Sequence, residues 1–342
     1  MNAHVRPRGS EGPPFPPRER LAHLPTPWHP LARLSAALPA AIDIKRDDLS
    51  GCLLSGNKIR KLEFVLADAL AAGATAVVTC GGAQSNHARA TAGAAARLGL
   101  RCALLLRGEA PAAPPDGNLF LDELLGAEVR WVDAAGYEDR DARMAALAGE
   151  LRGRGERPYV IPEGASNEIG AWGYVAMLAE LREQEPSFPW RRIVCAMGSG
   201  GTHAGLWMGA RLLGLDVRVR SYLVQRDRGY FRSQVRTIVE RFGRRYGVRA
   251  ALDPEELEIV AGFEGPAYGA AYAEETVVIR EAARAEGIVL DPVYTGKAMT
   301  GLLADLRSGA LPPGERILFV HTGGIFGLMA QRGEILGPRR SR

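Results

Sequence analysis

Short, continuous apolar runs alternate with longer helical patterns along most of this chain. Continuous runs are typical of strands that are buried on both faces of a parallel sheet. The helical patterns cover residues 59–70 and 86–98, and glycines at Gly73 and Gly99 follow them. Repeated strand–helix–strand units predict an α/β fold with mostly parallel sheets. The predicted strands are residues 75–80, 102–106, 129–132, 193–197, 217–224 and 317–320.

Length and composition limit the class of protein. A chain of 342 residues, 46% of them apolar and 24% charged, is typical of a globular protein of about two domains. The net charge is +4, from 43 basic and 39 acidic residues, which is too small to indicate binding to nucleic acid or to a membrane surface. No apolar run reaches the length of about eighteen residues that predicts a membrane span. We therefore expect a cytoplasmic protein.

The cysteines and histidines give no sign of a metal site. The four cysteines are scattered, without a CxxC pair and without a histidine at metal-ligand spacing. Three of them lie in apolar runs and are interpreted as small buried side chains. The sequence therefore predicts no metal and no disulfide framework. The cysteines are Cys52, Cys80, Cys102 and Cys195.

Three segments outside the alternating pattern also carry predictions. Residues 1–20 contain five prolines among charged residues, which predicts a disordered N-terminal extension. Residues 337–342 are expected to form a loose tail. The segment 226–249 holds eight arginines, but its apolar residues recur at helical spacing, which favours a solvated amphipathic helix over a polyanion site.

The strongest chemical signal is the lysine in Ser55-Gly56-Asn57-Lys58, at the beginning of the first helical pattern. A lysine at position 58 suits neither a place in the hydrophobic core nor a role as a solvent-exposed surface charge. A lysine at the mouth of a helix, directly after a Gly-Asn turn, is well placed to react with a carbonyl group. Lys58 is therefore a candidate to hold a carbonyl cofactor covalently.

A glycine-rich turn follows the predicted strand 193–197 and opens a helix. Its backbone N–H groups, together with the hydroxyls of Ser199 and Thr202, suit a phosphate group. A tight turn without a ligand is the alternative for this motif alone. The dinucleotide fingerprint fails because its third glycine would fall on His203, which disfavours a nicotinamide oxidoreductase. The candidate phosphate residues are Ser199, Gly200, Gly201 and Thr202.

Two further polar turns follow predicted strands. Gln84, Ser85 and Asn86 come after the strand at 75–80 and could bind a substrate carboxylate. The alternative is that Ser85 or Asn86 is only the N-cap of the next helix. Thr322 follows the strand at 317–320, in a His-Thr-Gly-Gly turn that could meet the ring nitrogen of a cofactor. Parallel sheets bind ligands at the carboxyl ends of their strands, so we expect these turns to enclose one site.

Two loop tyrosines complete the candidate site. Tyr268 lies in a segment bounded by glycines, and Tyr294 lies in Asp291-Pro292-Val293-Tyr294-Thr295. A tyrosine in such a loop usually packs its ring and exposes its hydroxyl. Beside a reactive lysine, the two hydroxyls become candidates for acid–base chemistry.

Taken together, these stretches resemble the pyridoxal-phosphate enzymes that include 1-aminocyclopropane-1-carboxylate (ACC) deaminase and D-cysteine desulfhydrase. The resemblance covers nearly everything after the N-terminal extension. It implies a tryptophan-synthase-β-like fold of two three-layer α/β domains, with pyridoxal 5'-phosphate between them, and a homodimer. By analogy the small domain is residues 61–170, and the large domain is residues 21–60 and 171–336. The matching segments are 44–49, 56–58, 84–86, the loop beginning at Gly198, 291–297 and 321–324.

The resemblance also implies roles for individual residues. Lys58 would hold the cofactor, and Asn86 would contact its phenolic oxygen. Thr322 would lie near its ring nitrogen, and residues 199–202 would bind its phosphate. The substrate carboxylate would lie on Gln84, Ser85 and Asn86, with Thr295 nearby. The implied catalytic residues are Lys58, Ser85, Tyr268 and Tyr294, and the α-proton base remains open among Lys58, Ser85 and Tyr294.

Within this family, two positions favour the desulfhydrases. ACC deaminases characteristically carry glutamate where Thr295 stands and leucine where Thr322 stands. A neutral hydroxyl near the ring nitrogen leaves that nitrogen largely unprotonated, which suffices when a good leaving group departs from Cβ. The implied reaction is β-elimination from D-cysteine to pyruvate, sulfide and ammonia. The alternatives are ACC ring opening to 2-oxobutanoate and ammonia, elimination from or racemisation of another small amino acid, and an inactive cofactor-binding protein.

Overall fold

The computed structural model describes residues 14–249 and 251–336 and contains two β-sheets. The larger sheet has six strands in the order β1-β2-β10-β7-β8-β9. All its neighbouring strands are parallel except β1 and β2. Its strands are β1 (Trp28–Pro30), β2 (Ala41–Lys45), β7 (Arg192–Met197), β8 (Arg218–Leu223), β9 (Glu258–Val260) and β10 (Arg316–Val320).

The smaller sheet has four strands in the order β5-β4-β3-β6, all of them parallel. Its strands are β3 (Ala76–Gly82), β4 (Arg101–Arg107), β5 (Glu128–Val132) and β6 (Pro158–Val160). The predicted α/β fold with mostly parallel sheets is therefore confirmed. All six predicted strands form within about two residues of their expected bounds.

Thirteen α-helices occur in the part of the chain that the structure describes. They are α1 (Ala32–Ser35), α2 (Asn57–Ala71), α3 (Asn86–Leu98), α4 (Gly117–Leu124), α5 (Ala134–Glu138), α6 (Arg140–Gly153), α7 (Trp172–Gln184), α8 (Gly201–Leu212), α9 (Arg228–Tyr246), α10 (Ala273–Glu286), α11 (Thr295–Ser308), α12 (Ile325–Ala330) and α13 (Arg332–Leu336). The arginine-rich segment forms α9, which buries its apolar face, as expected of an amphipathic helix.

Each sheet is covered by helices on both faces, which gives two three-layer units. On the large sheet, α10 and α11 pack on one face, and α7 and α8 pack on the other. On the small sheet, α6 covers one face, and α3 and α4 cover the other. The apolar residues of strands buried on both faces meet both helical layers, which is why their runs are continuous.

All four strands of the small sheet fall within residues 61–170, the predicted small domain. The exact domain boundaries stay a prediction, because α2 begins before residue 61 and continues beyond it. No helix in the described ranges is both long enough and apolar enough to cross a membrane. Those ranges also contain no cluster of three or more side chains suited to a metal ion.

The expected N-terminal extension is only partly visible, since residues 1–13 lie outside the described residues, as do residues 337–342 of the expected tail. Residues 14–20 are described, and they pack against the protein instead of being loose. The Phe15 ring lies 5.2 Å from the Trp172 ring, centroid to centroid. The backbone N–H of Glu19 donates to the carbonyl of Glu63 at 2.9 Å. Apolar packing of Phe15 thus outweighs the proline-rich composition there.

Candidate active site

An enclosed cavity lies where the carboxyl ends of strands from both sheets meet the beginning of α2. The turns after β3, β7 and β10 all contribute to its walls, as the sequence predicts. The lining residues are Asn57, Lys58, Asn86, Ala196, Met197, Gly198, Ser199, Gly200, Thr202, His203, Tyr294 and Thr322. Seven of the predicted site residues are therefore brought together: Lys58, Asn86, Ser199, Gly200, Thr202, Tyr294 and Thr322.

Lys58 enters this cavity from the first turn of α2. The preceding Gly56 has φ +99°, and a Cβ there would lie 2.6 Å from the carbonyl oxygen of Thr322. Only glycine permits this contact, which joins the beginning of α2 to the turn after β10. The backbone N–H of Asn57 donates to the same Thr322 carbonyl at 3.1 Å. The glycine in the Gly-Asn-Lys motif thus fixes where the lysine enters.

The amine of Lys58 is buried without a bonding partner among the described residues. Burial lowers its pKa to about 8, while the negative charges of Glu163 and Asp291 limit the decrease. Its Nζ atom lies 5.6 Å from the centroid of the Tyr294 ring. A lysine with a pKa near neutrality is partly unprotonated at physiological pH, so its amine can act as a nucleophile or as a base.

The chain has four lysines, and the other three are committed to hydrogen bonds. Lys45 donates to Glu180 at 2.6 Å. Lys297 donates to Glu275 at 3.2 Å and to the carbonyl of Ala270 at 2.9 Å. Lys61 donates to the Ser166 hydroxyl at 3.3 Å. Lys58 is thus the lysine that combines a place in the cavity with a free amine in the described structure.

The glycine-rich loop after β7 meets the N-terminus of α8 at one end of the cavity. Gly200 has φ +83°, and a Cβ on Gly201 would lie 2.5 Å from the Ser166 hydroxyl, so both positions need glycine. The Thr202 hydroxyl accepts a hydrogen bond from the Asn57 side-chain amide at 3.0 Å. The first turn of α8 leaves backbone N–H groups unpaired and carries partial positive charge, which suits a phosphate.

Sequence reasoning missed two residues, Lys61 and Ser166, that lie behind this loop. The Ser166 hydroxyl lies 2.8 Å from that of Ser199, so it links the Lys61 amine to the loop. Lys61 is fully buried, and burial and the nearby Lys58 charge lower its pKa well below the usual value. Its position three residues after Lys58 placed it on the same helical face, and that spacing was the available signal.

The turn after β3 is engaged mainly in structural contacts. The Ser85 hydroxyl caps α3 by accepting from the backbone N–H groups of His87 at 3.2 Å and Ala88 at 3.1 Å. The Gln84 side chain is held by the beginning of α4, because it donates to the Asp116 carbonyl at 2.9 Å and accepts from the Asn118 N–H at 2.8 Å. Neither the Ser85 nor the Gln84 side chain lines the cavity. Of the three residues predicted in this turn, only Asn86 lines it.

The two tyrosines form a hydrogen-bonded pair beside Lys58. Their hydroxyl oxygens are 2.5 Å apart. Burial raises the pKa of Tyr268 to about 12, and burial and the neighbouring Tyr268 also raise the pKa of Tyr294. Both hydroxyls are therefore protonated at neutral pH and can donate a proton. Tyr294 lines the cavity directly, while Tyr268 lies behind it.

The two predicted threonines differ in position. Thr322 lines the cavity, whereas the fully buried Thr295 does not. The Thr295 hydroxyl donates to the Asp291 carboxylate at 2.7 Å and accepts from the Asp291 backbone N–H at 2.8 Å. Its bonding capacity is used within this turn, which it holds together with Asp291 at the beginning of α11. The structure thus separates Thr295 from the residues that face the cavity.

The arrangement fits pyridoxal phosphate on chemical grounds. A free amine, a helix N-terminus built on glycines, and the side-chain amide of Asn86 surround one cavity. These groups match an aldehyde, a phosphate and a phenolic oxygen respectively. Thr322, which also lines the cavity, adds a hydroxyl. A Cβ on Gly201 would collide with Ser166, so glycine at this position lets the loop pack closely against Ser166.

Comparisons with known proteins agree with this fit. The model of the family described as pyridoxal-phosphate dependent enzyme matches residues 19–323. A D-cysteine desulfhydrase of Yersinia enterocolitica is 40% identical over 93% of this chain and 97% of its own. A bifunctional D-cysteine desulfhydrase/ACC deaminase, mitochondrial, of Arabidopsis thaliana is 39% identical over 90% of this chain and 78% of its own.

A solved structure is similar over nearly the whole chain. The crystal structure of an ACC deaminase homologue superposes with a TM-score of 0.86 at 39% identity, covering 95% of this chain and 96% of that one. The predicted fold, cofactor and family are thereby confirmed, while the choice between D-cysteine and ACC is left open. The chain belongs to the pyridoxal-phosphate dependent enzymes, within the group of lyases that includes ACC deaminase and D-cysteine desulfhydrase.

Proposed function

We propose that the protein catalyses β-elimination of sulfide from D-cysteine, and that water then hydrolyses the released enamine to pyruvate and ammonia. The observation that carries this proposal is the polarity of the cavity wall: Thr322 lines it, and no carboxylate side chain does so among the described residues. A neutral hydroxyl leaves the cofactor ring nitrogen weakly basic. That suits a substrate with a good leaving group on Cβ better than it suits the unactivated ring of ACC.

Several residues of the chain would hold the cofactor. Lys58 would bind its aldehyde carbon, and the backbone N–H groups of residues 199–202 would bind its phosphate. Lys61, joined to Ser199 through Ser166, would hold the Ser199 hydroxyl in place beside the phosphate. Asn86 would contact the phenolic oxygen. When bound, pyridoxal phosphate supplies a conjugated ring that accepts the electron pair left by removal of the α-proton.

Among the three candidates for the α-proton base, Lys58 has the best-matched acidity. Its pKa of about 8 leaves part of the amine unprotonated near neutrality. The Ser85 oxygen already accepts two helix N–H groups, and the raised pKa of Tyr294 disfavours its anion. Lys58 would therefore take the α-proton in the proposed reaction.

The tyrosine pair serves the leaving group in this proposal. A departing thiolate needs a proton, and Tyr268 and Tyr294 hold protons on hydroxyls that share a hydrogen bond of 2.5 Å. Each hydroxyl can pass a proton to the other. The pair can therefore donate one proton to the leaving thiolate and then take up a proton from solvent. The carboxylate of the substrate would lie at the turn 84–86, on Asn86 and on backbone N–H groups.

A homodimer is part of the same proposal. The helices α4 and α12 pack against one another and carry four exposed apolar side chains. Phe120 and Leu124 are 47% and 67% exposed, and Ile325 and Met329 are 41% and 50% exposed. Such a group of apolar side chains on neighbouring helices favours burial against a second copy of the chain.

Deamination of ACC is the second candidate, because the Arabidopsis relative is named for both activities. The discriminating experiment is a substrate panel of D-cysteine, L-cysteine, β-chloro-D-alanine and ACC. We expect D-cysteine to release pyruvate and sulfide with a kcat/KM at least 100-fold above that for ACC, and Lys58→Ala to abolish turnover. Release of 2-oxobutanoate from ACC with the higher kcat/KM would replace the proposal by the second candidate. No product from any substrate would indicate an inactive cofactor-binding protein.

A further inference from the structure

Asn118 is a fully buried side chain at the beginning of α4, with all of its hydrogen-bonding groups in use. Its Nδ2 atom donates to the carbonyl of Gln84 and to the side-chain oxygen of Asn86, both at 3.0 Å. Its Oδ1 atom accepts from Nε of Arg89 at 3.1 Å. A buried asparagine with three such bonds is held in one orientation.

These contacts determine which way each amide points. An arginine side chain can only donate, so the atom of Asn118 that faces Arg89 must be the oxygen. The Asn118 NH2 group then faces Asn86, and the atom of Asn86 that meets it must be an acceptor. The carbonyl end of the Asn86 amide is therefore turned toward Asn118. The amide NH2 of Asn86 has no hydrogen-bond partner among the described residues, and Asn86 lines the cavity.

We propose that Asn118 is a positioning residue that makes Asn86 present an N–H donor, and not its carbonyl oxygen, to the phenolic oxygen of the cofactor. The inference rests on the proposed role of Asn86. A donor at this place stabilises the deprotonated ring oxygen. In the opposite orientation, the carbonyl oxygen of the Asn86 amide would face the phenolic oxygen of the cofactor. The phenolic oxygen would then have to keep its proton. Asn118 thus selects the ionisation state of the bound cofactor without touching it.

Arg89 connects this amide pair to the segment that carries Lys58. Its guanidinium donates to the carbonyl of Leu53 and, at 3.1 Å, to the carbonyl of Ser55. Ser55 directly precedes the Gly56-Asn57-Lys58 motif. The network therefore joins two groups that line the cavity and would meet the cofactor, the Asn86 amide and the Lys58 amine. Because the side chains of Asn86, Arg89 and Asn118 are all buried and hydrogen-bonded, the network fixes the position of the Asn86 amide relative to the segment that carries Lys58.

The test replaces Asn118 by aspartate and compares absorption spectra of the purified holoenzymes at neutral pH. A carboxylate at position 118 can accept but not donate, so the Asn86 amide should turn and direct its oxygen into the cavity. We expect N118D to reduce the ratio of the visible band to the near-ultraviolet band of the bound cofactor at least fivefold. Asn118→Leu, which removes the partner without inverting it, should reduce the ratio by less. The ratio is insensitive to a loss of stability alone.

Two further variants separate the possible failures. Glu123→Gln changes one charge on the same helix, α4, at an exposed side chain that makes no hydrogen bond in the described structure, so its band ratio should match the wild type. Asn86→Ala should also lower the ratio. If Asn86→Ala leaves it unchanged, the proposed role of Asn86 is wrong. If Asn86→Ala lowers it but N118D and Asn118→Leu do not, the inference about Asn118 is overturned while the proposed function stands.

Discussion

At the scale of single residues, the chemistry depends on how the protein sets the pKa of one amine. Burial of Lys58 disfavours its ammonium form, and nearby carboxylates partly restore it. Glu163 is the larger of these carboxylate influences, and its own side chain is held by Tyr137 and Arg140. The balance leaves the pKa of Lys58 at about 8, where both protonation states are accessible near neutral pH.

Removing the negative charge of Glu163 should lower the pKa of Lys58 further. Only the unprotonated amine attacks the cofactor aldehyde, so the association rate of pyridoxal phosphate with the apoenzyme should rise with pH and level off above a midpoint near 8. In Glu163→Gln that midpoint should move to lower pH, since the ammonium loses a stabilising charge. Stopped-flow absorbance across a pH series measures it.

The matched control is Glu150→Gln, which removes an equal charge from a 56% exposed side chain on α6. The pH midpoint of the association rate in Glu150→Gln should equal that of the wild type, because exposed charges are screened by solvent. A midpoint in Glu163→Gln that is unchanged or higher would contradict the assigned electrostatic role of Glu163.

The sequence predicted which residues lie at the cavity where a motif and a backbone requirement coincide, and their roles stay a prediction. Lys58 and the loop 199–202 could be predicted because a glycine before a helix leaves few other interpretations. Thr295 was different, since its hydroxyl turns to Asp291 four residues earlier and not to the cavity. Ser85 fitted a capping and a binding role equally well, and only the structure reveals its two helix N–H partners. The spacing of residues in the sequence does not determine which hydrogen bonds Thr295 and Ser85 form.

At the scale of secondary-structure elements, the site depends on close packing of α2 against α7. Gly173, in the first turn of α7, makes this possible. A Cβ at Gly173 would lie 2.5 Å from the Arg60 carbonyl oxygen and 2.8 Å from the Lys61 nitrogen. Both atoms belong to the backbone of α2 and cannot move independently. The helix that carries Lys58 is therefore positioned by direct contact between backbones.

Gly173→Ala should push the two helices apart. We expect a loss of about 1–3 kcal/mol in the free energy of unfolding, the usual cost of overpacking, together with weaker binding of pyridoxal phosphate because Lys58 shifts. Urea unfolding and a cofactor titration measure the two effects. Gly149→Ala, in α6, is the control: a Cβ there meets nothing within 4 Å, so it should be neutral or stabilise by about 0.5–1 kcal/mol. Wild-type stability and affinity in Gly173→Ala would contradict this account.

The sequence predicted the long elements and missed the short ones. Strands buried on both faces leave a continuous apolar run, which identified six of the ten described strands. β1, β6 and β9 have three residues each, too few to establish a period. β2 contains two buried charged residues, Asp43 and Lys45, that are bonded to distant groups such as Trp190 and Glu180. The local pattern of apolar and polar residues cannot assign a polar residue to the core when its hydrogen-bond partner lies far away in the chain.

At the scale of the whole molecule, the mostly parallel large sheet and the parallel small sheet bring the carboxyl ends of their strands to one cavity. Turns that lie more than a hundred residues apart in the chain thereby become neighbours. The sequence could predict that the turns after β7 and β10 meet, because the carboxyl ends of parallel strands share an edge. The turn after β3 belongs to the other sheet, and the family resemblance implied its place at the cavity. The sequence could not predict the supporting contacts, such as Lys61 with Ser166 or Asn118 with Asn86, because those depend on how the two halves pack.

The distribution of lysines makes the central claim testable on the intact protein. Of the four lysines in the chain, Lys45, Lys61 and Lys297 are buried with bonding partners, and Lys58 alone faces the cavity. Borohydride reduction of the holoenzyme, followed by proteolysis and mass spectrometry, identifies the lysine that carries the cofactor. We predict a pyridoxyl adduct on Lys58 and on no other lysine. An adduct on Lys45, Lys61 or Lys297, or the absence of any adduct in a protein that contains pyridoxal phosphate, would contradict the account.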